Sequence, residues 1–147
     1  MTADFFTQMR STMTLQRALV NEAALSGKKE PSKLLTSLDV IRYATVEGAK
    51  ALKLDGKVGT LTPGKEADII LLDADAINVA PLNHVPGAVV SLMERSNVDT
   101  VMVAGKIRKW QGSLLDADIP KLRAELEASR DYLFDNCLLY TSDAADE

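Results

Sequence analysis

Val58-Gly59-Thr60-Leu61-Thr62-Pro63-Gly64-Lys65-Glu66-Ala67-Asp68-Ile69 is the stretch that decides how the chain is read. In Thr62-Pro63-Gly64-Lys65, proline presets φ at the second turn position and glycine accepts positive φ at the third. That pattern predicts a type II turn. The residues before it, 58–61, read as a strand. After it, Ala67-Asp68-Ile69-Ile70-Leu71-Leu72 is an unbroken apolar run of strand length, which predicts a strand buried on both faces. Further on, Asp99–Ala104 and Lys106–Trp110 read as a hairpin turning at Gly105. Val101 and Val103 point one way along it, Thr100 and Met102 the other.

Helices flank this β region. Upstream, Leu38–Leu54 carries Ile41, Ala44, Thr45, Gly48, Ala51 and Leu52 on one face at helical spacing. Thr36 or Ser37 caps its first amides, Asp39 favours its dipole, and Gly56 is the expected stop. Gly48 inside the helix costs about 1 kcal/mol relative to alanine, and the expected compensation is close approach of a neighbouring element. Earlier still, Asp4–Leu25 repeats Phe5, Met9 and Met13, with Phe6 and Val20 near the stripe. Gly27-Lys28-Lys29-Glu30-Pro31 ends that pattern. Downstream, a last helix begins at Asp118 or Ile119 with Pro120 in its first turn. Its expected inward stripe is Leu122, Leu126, Ser129 and Leu133. The tail Cys137–Glu147 has no period and no packing face, and is expected to be non-native, the original reading frame having been lost near Cys137.

Composition narrows the function classes. The chain has 147 residues, 46% hydrophobic and 26% charged, with a net charge of −4. That is an ordinary globular balance, long enough to bury roughly two thirds of the unfolded surface. No clustered basic face points to nucleic acid. No apolar run approaches the roughly 18 residues of a membrane span, and the N-terminus does not read as a secretory signal. The expected location is cytoplasmic. One cysteine excludes an intramolecular disulfide, and one histidine, His84, leaves few soft ligands for a catalytic metal.

Three stretches, in order, resemble a known family. Tyr43-Ala-Thr-Val-Glu-Gly-Ala-Lys-Ala-Leu52 is similar to a helix reading A-T-x-x-G-A-x-A-L. Val58–Ile69 is similar to V-G-S-L-x-P-G-K-x-A-D-[LI], with Thr60 in the serine place. Val98–Lys106 is similar to V-x-x-V-x-V-x-G-K. All three resemble stretches of the amidohydrolase superfamily. Asp4-Phe-Phe-Thr-Gln-Met-Arg10 also resembles a helix of its cytosine deaminase and chlorohydrolase branch.

The resemblance implies an α/β fragment: the last helices of a (β/α)8 metal-dependent hydrolase barrel, the C-terminal strands of a composite β-sandwich, and a final helix. Residues 1–56 would be barrel helices, 57–115 the sandwich share, 116–136 the last helix and 137–147 the non-native tail. In that family a divalent metal, zinc or another, lowers the pKa of a bound water that attacks a carbon bearing an amine, amide or halide. Its ligands are a His-x-His pair, further histidines and an aspartate, all upstream of a helix like Asp4–Leu25. The expected catalytic, cofactor-binding and metal residues of this chain are therefore none. Its expected partners are the missing N-terminal part of the same polypeptide and, for the parent, a small-molecule substrate; neither nucleic acid nor membrane is expected, and homo-oligomerisation is left open. The alternative is a non-catalytic structural or interaction module that pairs with another chain.

Individual residues tempt other readings. His84 lies in Ala80-Pro-Leu-Asn-His-Val-Pro86, where the prolines predict a surface loop, and a lone base without partners makes a poor active site. Asp68, Asp73 and Asp75 could be a carboxylate cation site, but calcium-type sites need about six or more oxygens, and aspartate at a strand end is ordinary turn chemistry. Lys28-Lys29 and Lys106-Ile-Arg-Lys109 read as solvated surface. Trp110 is expected to pack or to join an interface.

Overall fold

A computed structural model describes residues 4–27 and 33–136. It divides at Ser113/Leu114 into two compact units. Lys28, Lys29 and the 137–147 tail lie outside the described residues.

The first helix, α1, spans Phe5–Leu25. Asp4 is its N-cap, its carboxylate accepting from the Thr7 amide at 2.8 Å. Such a cap is worth about 1 kcal/mol. Phe6, Met9 and Met13 are buried, whereas Phe5 faces solvent. Met9 and Met13 thus carry the expected stripe, completed by Phe6 in place of Phe5.

The second helical stretch is one run in three parts: α2 (Ser37–Arg42), a π turn (Tyr43–Glu47) and α3 (Gly48–Ala51). Thr36 caps it in a reciprocal box with Asp39. The π turn holds one more residue per turn, so the downstream face is rotated relative to a straight α-helix. Val40, ahead of the π turn, and Ala49, after it, are the buried positions; Ile41 and Ala44 are partly buried against the core, while Thr45, Ala51 and Leu52 are exposed. The helix ends before Gly56: Lys53 takes a left-handed φ of 58°.

The close approach expected at Gly48 occurs instead at Gly59, against the helical run. A Cβ on Gly59 would lie 2.7 Å from Ala49 Cβ and 3.3 Å from the Thr45 carbonyl oxygen, at a φ of +91°. A Cβ on Gly48 would meet only its own run, at Tyr43 O.

Residues 58–61 form no strand. They are a bent loop, fixed by Lys65, whose ammonium donates to the carbonyls of Asp55 and Val58. The expected turn follows: the Lys65 amide donates to Thr62 O at 3.2 Å and Gly64 has φ +91°.

A four-stranded sheet runs in the order β1 (Ile69–Leu72), β2 (Val98–Val103), β3 (Lys106–Trp110) and β4 (Ser113–Leu114). β1 and β2 are antiparallel, with Ile70 opposite Val101. The β2–β3 hairpin turns through Ala104 and Gly105, both at positive φ. Two successive positive φ values mark a type I′ turn, whose twist suits a hairpin. β1 is an edge strand. Ile70 and Leu71 are each 53% exposed, so the run is not buried on both faces.

Between β1 and β2 lies α4 (Val85–Ser91), where a loop was expected. Pro86 sits in its first turn, where a missing amide hydrogen costs nothing. Val90 and Ala88 face inward. With Phe6, Met9, Met13, Val40, Val79 and Met93 they form the core, flanked by Leu72 and Val98 from the sheet. Each fully buried valine contributes about 1.5–3 kcal/mol.

The second unit contains α5, Ile119–Asn136. Asp118 caps it by accepting from the Lys121 amide at 3.0 Å. No residue of α5 is buried.

Candidate functional site

An apolar groove of about 520 Å³ lies between the π turn, α3, the 54–61 loop and β1. Ala49, Leu52, Leu54, Leu61 and Ile70 line it. Its one ionisable group is Asp68, whose carboxylate accepts from the Ala104 amide at 2.7 Å and thereby pins the hairpin turn. A groove with apolar walls and a single engaged carboxylate can receive a packing partner. It holds no nucleophile–base pair.

The tempting residues are each engaged locally. His84 is the N-cap of α4: its Nδ1 accepts from the Gly87 amide at 3.0 Å. The loop expectation is corrected accordingly, and the imidazole takes a cap role usually given to serine or aspartate. Asp73 accepts from the Asp75 amide at 2.9 Å, an Asx turn after β1. Asp68, Asp73 and Asp75 are not brought together, and among the described residues no group of three or more His, Cys, Asp or Glu could hold a metal ion. Lys109 donates to the Val98 carbonyl across the hairpin. Trp110 is part-exposed at the end of β3.

Sequence reasoning missed the polar centre of the first unit. Asn97 is 1% exposed. Its Oδ1 accepts from the Glu94 amide at 3.0 Å and from Asn78 Nδ2 at 2.9 Å. Its Nδ2 donates to Asp73 O and to Asn78 Oδ1, and its carbonyl accepts from the Asp73 amide at 2.7 Å. Every polar atom of the side chain is satisfied, as a buried amide requires. The only signal in sequence was an asparagine just ahead of a strand, which ordinarily reads as a turn. Arg10 was missed too: from α1 it bonds the Val90 carbonyl near the end of α4 and the Met93 carbonyl just past it.

Two exposed carboxylates have depressed pKa values. Asp39 is held below its ordinary 3.8, first by the Thr36 amide and then by the Thr36 hydroxyl. Glu47 is held below its ordinary 4.5, first by Lys50 and then by Arg42. Both stabilise the helical run and neither faces a cavity capable of chemistry.

The helical run, the Pro-Gly-Lys turn and the Val98–Lys106 hairpin thus occur in the expected order. Residues 1–108 match the Amidohydrolase family.

The chain belongs to the amidohydrolase family.

Among relatives of this amidohydrolase chain, a 5-methylthioadenosine/S-adenosylhomocysteine deaminase of Caldanaerobacter subterraneus subsp. tengcongensis is 32% identical over 124 residues, which is 84% of this chain and 27% of that protein. The enzyme of the same name from Pyrococcus abyssi is 31% identical over 121 residues, 82% of this chain and 26% of its own. A zinc-bound adenosine deaminase of Xanthomonas campestris superposes with a TM-score of 0.76 at 30% identity, covering 90% of this chain and 28% of that one. The zinc complex of an atrazine chlorohydrolase from Arthrobacter aurescens has the same fold over 74% of this chain and 25% of its own, with a TM-score of 0.60 at 23% identity. This amidohydrolase chain therefore spans about a quarter of the length of the curated relatives it matches. The side chains described do not fit the zinc those neighbours carry: His84 Nδ1 is committed to a helix cap and no second donor group gathers near it.

Proposed function

We propose that this chain is the C-terminal part of a metal-dependent hydrolase acting on carbon–nitrogen bonds other than peptides, of the deaminase or chlorohydrolase kind, and that it has no catalytic activity alone. The observation that carries this reading is the coverage: 84% of this chain aligns with 27% of a deaminase. In this reading α1 and the Ser37–Ala51 run are the last helices of the parent's barrel. The sheet is the C-terminal share of a composite sandwich. The parent's zinc, or another divalent ion, is held by residues outside this chain, and its small-molecule substrate binds there too. The described chain walls and supports the barrel. Its partner is the N-terminal part of the same polypeptide, in a cytoplasmic protein.

The exposed apolar strand and groove support this reading. Ile70, Leu61 and Leu52 would not stay uncovered in a mature protein, because exposed edge strands and apolar patches favour association. The same exposure supports a second reading, an interaction module that covers these surfaces with another chain.

The chain, expressed alone and loaded with zinc, is expected to show no turnover of 5-methylthioadenosine, adenosine or a chlorotriazine. Measured turnover abolished by a chelator would overturn the proposal. Sequencing upstream of Met1 separates the two readings. An open frame encoding His-x-His supports the hydrolase part; an in-frame stop preceded by a ribosome-binding site supports the module.

A further inference from the structure

We propose that α5 is a parallel dimerisation helix that pairs with α5 of a second copy of this chain. Ile119, Leu122, Leu126, Ser129, Leu133 and Asn136 recur at alternating spacings of three and four, the a and d positions of a coiled coil. The apolar members of the seam are all uncovered: Ile119 and Leu122 are each 47% exposed, Leu126 71% and Leu133 57%.

Charge selects both the occupant and its direction. Asp118 and Glu125 flank the seam on one side (the g positions), Arg123 and Arg130 on the other (the e positions). In a parallel pair, g of one helix faces e of the next heptad on the other. Asp118 then meets the second copy's Arg123, and Glu125 its Arg130, on both sides of the seam. An antiparallel pair would set e against e and bring arginine to arginine. The seam thus complements itself in one orientation.

Within a single copy, Arg130 pairs with Asp131 at 2.7 Å and Lys121 approaches Glu125 at 4.0 Å. All four side chains are more than half exposed, so these pairs are weak and can be shared with a partner. Ser129 and Asn136 interrupt the apolar seam, and the helix has only 18 residues. The dimer is accordingly a weak one.

Two measurements on the full chain test this. In sedimentation equilibrium, Glu125→Arg or Arg130→Glu each turns two attractive contacts per dimer into repulsive ones. Each is expected to weaken self-association about tenfold (about 1.4 kcal/mol), and the double swap to restore it. In a Cys137→Ser background, Ser129→Cys on the seam is expected to form an intermolecular disulfide about tenfold faster than Ala124→Cys on the opposite face, since pairing raises its effective concentration. Self-association that ignores the charge changes, a chain that stays monomeric throughout, or equal cross-linking at 124 and 129 overturns the proposal. Equal rates are what non-specific aggregation through β1, or a helix covered by other parts of the parent hydrolase, would produce.

Discussion

The guanidinium of Arg10, in α1, lies 3.0 Å from the carbonyl oxygen of Met93, just past the end of α4. Its Nε also donates to Val90 O at 3.2 Å. The last carbonyls of a helix lack partners within it, and α4 is too short to spare them. A cation from another helix supplies them and complements the negative end of the α4 dipole.

Arg10→Ala is expected to destabilise the first unit by about 1.5–3 kcal/mol, the range for a charge-assisted hydrogen bond. Arg10→Lys should recover only part, because an ammonium cannot reproduce the two-pronged fork. Urea denaturation followed by circular dichroism measures both. Equal stability of all three proteins would contradict the role given to Arg10.

Asn97 gives a second expectation. Asn97→Leu keeps the volume but strands the Glu94 amide, Asp73 O and the Asn78 side chain. A loss of about 2–4 kcal/mol follows from the unsatisfied groups. Asn97→Asp should cost less in oxygen-accepting bonds but loses both donations from Nδ2. The fall in denaturation midpoint checks the order.

Gly59 and Gly64 share a φ of +91° but differ in surroundings. Gly64→Ala meets nothing within 4 Å, so it should cost only the left-handed backbone strain of about 1–2 kcal/mol. Gly59→Ala adds a collision with Ala49 Cβ at 2.7 Å. Its cost should exceed that of Gly64→Ala by about 1–3 kcal/mol. The difference between the two variants isolates packing from backbone strain.

The pH dependence has a definite sign. Asp39 and Glu47 have folded pKa values below their ordinary 3.8 and 4.5. The unfolded chain therefore binds protons first as pH falls. The stability these carboxylates contribute is complete above the ordinary values and is lost on acidification through the folded ones. The denaturation midpoint should drop between about pH 5 and pH 3, and Asp39→Asn should flatten that drop. Both groups are exposed, so the effect is small and should shrink further in high salt.

His84→Asn should leave stability nearly unchanged, within about 0.5 kcal/mol, since asparagine caps helices at least as well. His84→Val should cost about 1 kcal/mol by stranding the Gly87 amide.

Much of the fold was legible because local chemistry dictates it. Proline and glycine at 63 and 64 set the turn, Gly105 set the hairpin, and aspartate and threonine at 4 and 36 set two helix starts. What failed depends on partners remote in sequence. Residues 58–61 have strand composition but no strand beside them, and 67–72 is apolar on both faces while one edge and much of its surface stay open. The α4 helix was hidden by its prolines, one of which sits harmlessly in the first turn. Ala49, buried beyond the π turn, was missed because such a turn cannot be seen in a period count. The roles of Arg10 and Asn97 were not legible, since their bonds reach across 83 and 24 positions.

The π turn at Tyr43–Glu47 has a consequence for how the chain tolerates length changes. It behaves as a one-residue insertion within an otherwise regular run. Deleting Thr45 would straighten the helix and improve its internal bonding, yet it would swing everything after it by about 100° around the axis. Ala49 would leave the notch that Gly59 fits, and the 54–61 loop would lose its seat. The irregularity thus acts as a phase adjuster, and a shorter, more ideal helix would be the less compatible one.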